Sequence, residues 1–303
     1  MNIGIVGLPN AGKSTIFNAL TRSRHARVAN FPFSTVEPNR AIVPVPDPRL
    51  DRLHELLGVE EKIYATIEFL DIAGLVQGAS QGEGLGNQFL GQIRNTDAIL
   101  HVVRCFDDPN VARIGSEEGP EDDIEIVTLE LILADLQQLE RAVEKLSRQV
   151  KGDKKLIPVL ELAQQMSSFL SGGSSLNNFE GRDSEAFQFL NKEMRFLTAK
   201  TVIFAANVDE NRLNQDDPCT AAISRAAVER GGYFVKVGAF FEEELVDMPE
   251  VERQEFLALA GVRESALAQV IRTGYQALGL ISFFTMNERE VRAWTIPRGW
   301  VAR

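Results

Sequence analysis

The sequence predicts an α/β fold: a mostly parallel sheet with helices on both faces. Two observations carry that expectation. Short apolar runs rich in β-branched residues recur at 2–6, 40–45, 64–70, 98–104, 201–206 and 233–237. Their hydrophobicity is continuous rather than alternating, as strands covered on both faces require. Helical periodicity, clearest over residues 13–21, lies between some of these runs, as strand-helix-strand crossovers demand. The length of 303 residues admits about two domains at roughly 150 residues each.

The first strand runs into Gly7-Leu8-Pro9-Asn10-Ala11-Gly12-Lys13-Ser14, which turns the chain into the first helix. A proline-rich loop, NFPFSTVEP at 30–38, precedes the strand at 40–45, and the strand at 64–70 ends in Asp71-Ile72-Ala73-Gly74. After 98–104 the texture changes. Leu129, Leu133 or Leu136, Leu139, Val143, Leu146 and Val150 step by three and four with charges between them, which predicts a long amphipathic helix. Further helices are expected over 156–170 and 184–196, on either side of a polar loop at 171–181. So long a helical stretch exceeds a normal crossover, and 123–197 is expected to be a helical hairpin inserted into an α/β domain made of 1–122 and 198–277. Residues 250–278 read as helices packing back on the sheet, while 278–303 open a new β pattern too short for a core of its own and expected to fray.

The chemistry starts at the G-x-x-x-x-G-K-S run. Its glycines let the backbone wrap close to oxygen atoms, and the successive N–H groups of Asn10, Ala11, Gly12, Lys13, Ser14 and Thr15 face an anion at a helix N-terminus. Lys13 supplies charge to β- and γ-phosphates, and the Ser14 hydroxyl is a ligand for Mg²⁺. Asp71 follows a strand and can hold that Mg²⁺ through water, with the Gly74 N–H offered to the γ-phosphate. Thr35, in the proline-rich loop, is placed to close on Mg²⁺ and the γ-phosphate. Lys13, Thr35 and Gly74 are therefore the candidate catalytic groups, and Ser14, Thr35 and Asp71 the candidate metal ligands. Asn207-Val208-Asp209-Glu210 ends the strand at 201–206 where guanine-specific proteins carry Asn-Lys-x-Asp. With Glu210 in place of Asp and no Lys, the guanine contact is weakened, while an Asn side chain can pair adenine's N6 and N7. ATP is the expected nucleotide; a GTPase in which Asn207 suffices is the alternative.

Composition excludes other classes. Acidic residues number 43 against 32 basic ones, a net charge of −11, which argues against bulk binding to DNA or anionic membranes. No apolar run approaches the ~20 residues of a membrane span, and Cys105 and Cys219 are too few for a disulfide framework, so a reducing, cytosolic setting is expected. His25, His54 and His101 lack metal-ligand spacing. Arg141, Lys145, Arg148, Lys151, Lys154 and Lys155 form either an RNA-facing patch or ordinary solvated helix charge.

The motifs GLPNAGKST, NFPFSTVEPN, PDPRLDRL, DIAGLVQGAS, GEGLGNQFL, RCFDD, ANVDE and EVRAWTI occur in this order along the whole chain. In them the sequence resembles the Obg-like ATPase (YchF) family of P-loop NTPases. The resemblance implies a Ras-like, Obg-type nucleotide domain, a coiled-coil-like helical insertion, and a C-terminal TGS domain of which 278–303 are the start. It also implies a Mg²⁺-dependent, slow ATP-hydrolysing switch that associates with ribosomes and is linked to stress. Residues 207–210 become the adenine-selecting motif, and Gly238-Ala239 stand where the family usually has Ser-Ala or Cys-Ala. Leu75 occupies the place of the water-orienting Gln of Ras-like GTPases, and Arg113 that of a His proposed to aid hydrolysis, so a binding module with negligible turnover is a further alternative. Asn10 matches the asparagine through which potassium-stimulated relatives hold K⁺.

Overall fold

The computed structural model describes residues 1–22, 27–29, 38–72, 85–113 and 119–301. Its main sheet has seven strands in the order β2-β3-β5-β1-β6-β7-β8. They are β1 Asn2–Val6, β2 Arg27–Ala29, β3 Asn39–Pro44, β5 Thr66–Asp71, β6 Ala98–Arg104, β7 Thr201–Asn207 and β8 Tyr233–Val237. β5, β1, β6, β7 and β8 are parallel, whereas β3 runs antiparallel to β5 and β2 antiparallel to β3. The register sets Ile5 beside Asp71, Val6 beside His101, Arg104 beside Asn207, and Asn207 beside Val237. The carboxyl ends of the parallel strands thus share one edge of the sheet, where open α/β sheets form ligand crevices.

Strand alternation sends neighbouring side chains to opposite layers. From β6, Leu100 and Val102 join Ile3, Ile5 and Phe69 in a core covered by helices α1 Lys13–Arg22 and α10 Ala266–Ala277, through Ile16, Leu20, Val270 and Ile271. Ile99 faces the other way with Val6 and Leu70, under α3 Leu85–Arg94 and α4 Pro120–Gln149. Val103 does the same beside Phe204 and α7 Pro218–Glu229. Every β6 residue is therefore buried, which explains a run without polar alternation. Helix ends are fixed locally. Asp47 caps α2 Pro48–Leu57 and Gly58, at φ 61°, ends it, while Asp217 and Thr220 form a reciprocal capping box on α7.

The helical stretch differs from expectation in its boundary and its phase. α4 starts at Pro120, and its first half lies on the sheet through Val127, Leu131 and Ala134. Only beyond that does it form a separate core with α5 Ile157–Ser171 and α6 Glu185–Met194, built on Leu139, Leu146, Met166, Leu170, Phe187 and Phe196. One helix with two successive partners rotates its buried stripe, which is why Leu129, expected inside, is exposed.

The C-terminal hairpin also departs from expectation. β9 Leu280–Met286 and β10 Glu290–Pro297 pair antiparallel, and β10 pairs parallel with β4 Glu61–Ile63, a three-residue strand that the apolar pattern missed. Leu280, Val291 and Ala293 belong to the principal core, and the Tyr275 hydroxyl donates to the Ile281 carbonyl at 3.1 Å. These contacts hold residues 280–297 in place of the expected fraying. The remaining helices are α8 Ala239–Leu245 and α9 Glu250–Leu259. Cys105 and Cys219 are joined in a disulfide with a Cα–Cα distance of 6.0 Å, a single bridge rather than a framework, which the expected reducing setting did not anticipate. A separation of 114 residues hides such a pair in the sequence.

Candidate nucleotide-binding site

The turn between β1 and α1 needs its glycines. Gly7 (φ 151°) passes so near β6 that an added Cβ would lie 2.4 Å from the Val102 carbonyl oxygen, and at Gly12 (φ 97°) it would lie 2.1 Å from Asn207 Nδ2. Asn10 also takes a left-handed conformation, at φ 62°. Lys13 is buried and folds back, Nζ donating to the Leu8 carbonyl at 2.7 Å. Burial pulls its pKa down to about 8, with the charge of Asp71 opposing that shift. Asp71 is raised by its own burial, with Lys13 opposing.

Asn207 is a staple across this edge of the sheet. Its Nδ2 donates to the Ala11 carbonyl at 2.9 Å and its Oδ1 accepts the Ala239 N–H at 3.0 Å. Both ends of the amide therefore tie the phosphate loop to the turn after β8. This tie uses one N–H of the amide nitrogen and one lone pair of the amide oxygen. Sequence reasoning could not see it, because both partners are backbone atoms far along the chain.

A second loop, after β6, closes the site. The Arg104 guanidinium donates to the carbonyls of Phe106, Asp108 and Ala112 at 3.2–3.4 Å and lies 4.4 Å over the Phe106 ring. Asn10 Nδ2 donates to the same Ala112 carbonyl at 3.1 Å, so the phosphate loop and the β6 loop share an anchor. Asp209 accepts the Asp107 N–H at 3.2 Å, and Arg212 donates to the Asp107 carboxylate at 2.8 Å.

A cleft of about 580 Å³ results, the size of a small-molecule site. Asn10, Gly12, Lys13, Ser14 and Thr15 line its phosphate end. Asn207, Val208, Glu210 and Ala239 line the other, so the structure brings these predicted residues together. Ala11 is buried beneath, Asp71 lies at the end of β5 near Lys13, and Gly238 precedes α8. The RCFDD motif conceals a further contribution: Phe106, with Phe240 from α8, supplies apolar lining of the cleft. Thr35, Gly74 and Leu75 lie outside the described residues. Arg113 faces Asp123 at 3.5 Å. His101 is fully buried and its pKa falls to about 3, so it stays neutral. Among the described residues no cluster of three or more His, Cys, Asp or Glu side chains is arranged to hold a metal.

The Lys13 shift predicts a pH dependence. A bound polyphosphate favours the charged amine, so above pH 8 binding must take up a proton, and affinity falls as pH rises through that region. The free protein moves the other way. Between about 8 and 10.5 the unfolded chain binds more protons at this lysine, so its contribution to stability rises with pH. Calorimetry at several pH values, in buffers of different ionisation heat, should show proton uptake on nucleotide binding that vanishes in Lys13→Met.

Residues 2–160 match the family described as 50S ribosome-binding GTPase. The ribosome-binding ATPase YchF of Escherichia coli O157:H7 is 44% identical over 302 residues, 99% of this chain and 82% of the relative. The chain belongs to the YchF family. The YchF of Bacillus subtilis (strain 168) is 41% identical over 307 residues, covering 100% of this chain and 82% of its own length. The solved structure of the Schizosaccharomyces pombe YchF GTPase superposes with a TM-score of 0.83 at 35% identity, over 100% of this chain and 82% of that one. The YchF fold thus carries both a P-loop nucleotide domain and the helical stretch described above. Among the described residues no helix is long and apolar enough to cross a membrane.

Proposed function

We propose that this chain is a Mg²⁺-dependent, slow ATPase that acts as a nucleotide switch on the cytoplasmic ribosome. The observation that supports the reading is the cleft itself, whose lining includes Lys13 and Ser14 as well as Val208 and Glu210. Lys13 needs only to exchange the Leu8 carbonyl for phosphate oxygens. The Ser14 hydroxyl and the Asp71 carboxylate are the hard oxygen donors that suit Mg²⁺, and a cation near Asp71 offsets the burial that raises its pKa. Bound there, the ion would supply charge neutralisation at the β- and γ-phosphates. Asn207, held by Ala11 and Ala239 and keeping one amide N–H and one lone pair, is assigned to base choice together with Val208 and Glu210. Thr35 and Gly74 are assigned to sensing the γ-phosphate.

The ribosome enters through the E. coli and B. subtilis relatives, both named ribosome-binding ATPases. Arg141, Lys145, Lys151, Lys154 and Lys155 are exposed on the helical hairpin, where they would meet RNA phosphates; Arg148 pairs with Glu144. Residues 278–303 are proposed to begin a TGS domain, and a stress role and K⁺ stimulation through Asn10 belong to the same reading. GTP is the second candidate because the matched family and the S. pombe relative are both described as GTPases. Calorimetry with Mg²⁺ and each nucleotide, followed by phosphate release in K⁺ and Na⁺ with and without ribosomes, tests the set. ATP is expected to bind more tightly. The reverse order overturns the base assignment, equal turnover in both salts removes K⁺, and turnover no higher than that of Lys13→Ala leaves a binding module.

A further inference from the structure

α3 starts shortly after the Asp71-to-Gly74 motif, and its far end is gripped by the helical insertion in a reciprocal clasp. Arg94, the last residue of α3, reaches into the insertion. Nη1 donates to Asp135 Oδ1 at 2.9 Å and to the carbonyls of Met194 and Arg195 at 3.3 and 3.4 Å, while Nη2 donates to the Ala134 carbonyl at 3.2 Å. The chain leaving the insertion reaches back. Lys200 Nζ donates to the Arg94 carbonyl at 3.2 Å and to that of Thr96, and Arg195 Nη1 donates to Asn95 Oδ1 at 3.3 Å.

Asp135 is the hub, with none of its side chain exposed. Besides Arg94 it accepts the Leu197 N–H at 3.0 Å, the Thr198 N–H at 2.8 Å and the Thr198 hydroxyl at 2.9 Å. Burial pushes its pKa up, with Arg94 the largest opposing influence; three of its four partners can only donate, so the carboxylate is the form these surroundings satisfy. Three segments distant in sequence therefore meet at one carboxylate: the end of α3, the middle of α4, and the chain returning from α6 to β7.

The physical difference from an ordinary helix contact lies in direction. Apolar surfaces can slide past one another at little cost, whereas a buried, fully paired polar network has one low-energy arrangement. A shift of α3 relative to α4 would strand donors or a carboxylate out of water, and burying an unpaired polar group is costly. α3 and the insertion must then move together or stay together.

We propose that Arg94 and Asp135 are positioning residues that lock α3 to the helical insertion, so that a nucleotide-dependent movement of α3 is passed to the hairpin formed by α4 and α5. The inference rests on the nucleotide-switch reading and names its regulation. Coupling of this kind is reciprocal: a partner seated on the hairpin alters nucleotide affinity by the same factor.

Hydrogen exchange on the full chain tests it, comparing ADP with a non-hydrolysable ATP analogue, both with Mg²⁺, in wild type, Arg94→Lys and Thr198→Val. Arg94→Lys keeps the charge but cannot span Asp135 and three carbonyls. Thr198→Val removes only one hydroxyl donor and keeps the test readable should Arg94→Lys fail to fold. In wild type the analogue should change exchange both in α3 and across 120–171. In Arg94→Lys the nucleotide should still bind and α3 should still respond, while the response across 120–171 falls roughly five-fold or more; Thr198→Val should show a smaller loss. A hairpin response that is absent in wild type, or undiminished in the variants, overturns the coupling while leaving the proposed function standing. Failure of wild type to bind either nucleotide overturns the function and the coupling with it.

Discussion

Lys13→Ala is expected to reduce nucleotide affinity by about 100-fold or more, the scale of losing one or two charge-assisted hydrogen bonds at about 1.5–3 kcal/mol each. The folded protein should tolerate the change. Lys13 Nζ spends its contact on one carbonyl, that of Leu8, and its buried ammonium already costs the free protein something, as its lowered pKa records. Loss of the charge therefore relieves the free state while removing the attraction that only the bound state enjoys. Titration calorimetry should report the loss for both ATP and GTP, since Lys13 lies at the phosphate end of the cleft and not at the base end. Thermal unfolding without nucleotide should stay close to wild type. Lys13→Arg should not restore binding, because a planar guanidinium cannot occupy the tight path that the amine follows to Leu8. A variant that binds ATP as wild type does would show that the Gly7-to-Ser14 turn is only structural.

How much of this was legible in the sequence depends on the range over which each signal acts. β1, β6 and β7 are local signals, since burial on both faces writes itself into consecutive residues, while β8, at the edge of the sheet, buries only Val235 and Val237 fully. The three-residue strands β2 and β4 are too short to write any period, and the antiparallel direction of β3 leaves no mark in hydrophobicity. Lys13 and Ser14 stand out as candidate chemistry because each carries a functional group at a spacing with a known use. Asn207 was legible as a position, but its tie between the phosphate loop and the turn after β8 was not, since its partners there are the backbone atoms of Ala11 and Ala239. Arg104 and Phe106 passed unread because their effect is to shape a loop rather than to touch phosphate. Most remote of all is the Arg94 to Asp135 contact: two charges 41 residues apart on different helices look like solvated surface until the fold buries one of them.

That buried carboxylate should dominate the stability of the joint between the two cores. Asp135→Ala is expected to cost about 3–5 kcal/mol, the usual penalty for removing one partner of a buried ion pair. The deletion leaves Arg94 without its counter-charge and leaves the Leu197 and Thr198 N–H groups, both at buried residues, without acceptors. Asp135→Asn should cost less, yet not nothing. Its amide nitrogen must face either Arg94 and the Leu197 N–H or the two Thr198 donors, and of these only the Thr198 hydroxyl can turn round to accept. Arg94→Met alone should be milder than Asp135→Ala, because Arg94 keeps some access to solvent whereas Asp135 has none. Denaturant unfolding followed by calorimetry should therefore rank the variants Asp135→Ala, Asp135→Asn, Arg94→Met, from most to least destabilised. Because α5, α6 and the second half of α4 have a core of their own, the first loss should appear as weakened protection around 194–200, where the insertion rejoins the sheet. Equal stability of Asp135→Ala and wild type would mean that the apolar contacts of α4 with the sheet suffice to hold the insertion, and that the clasp adds direction without strength.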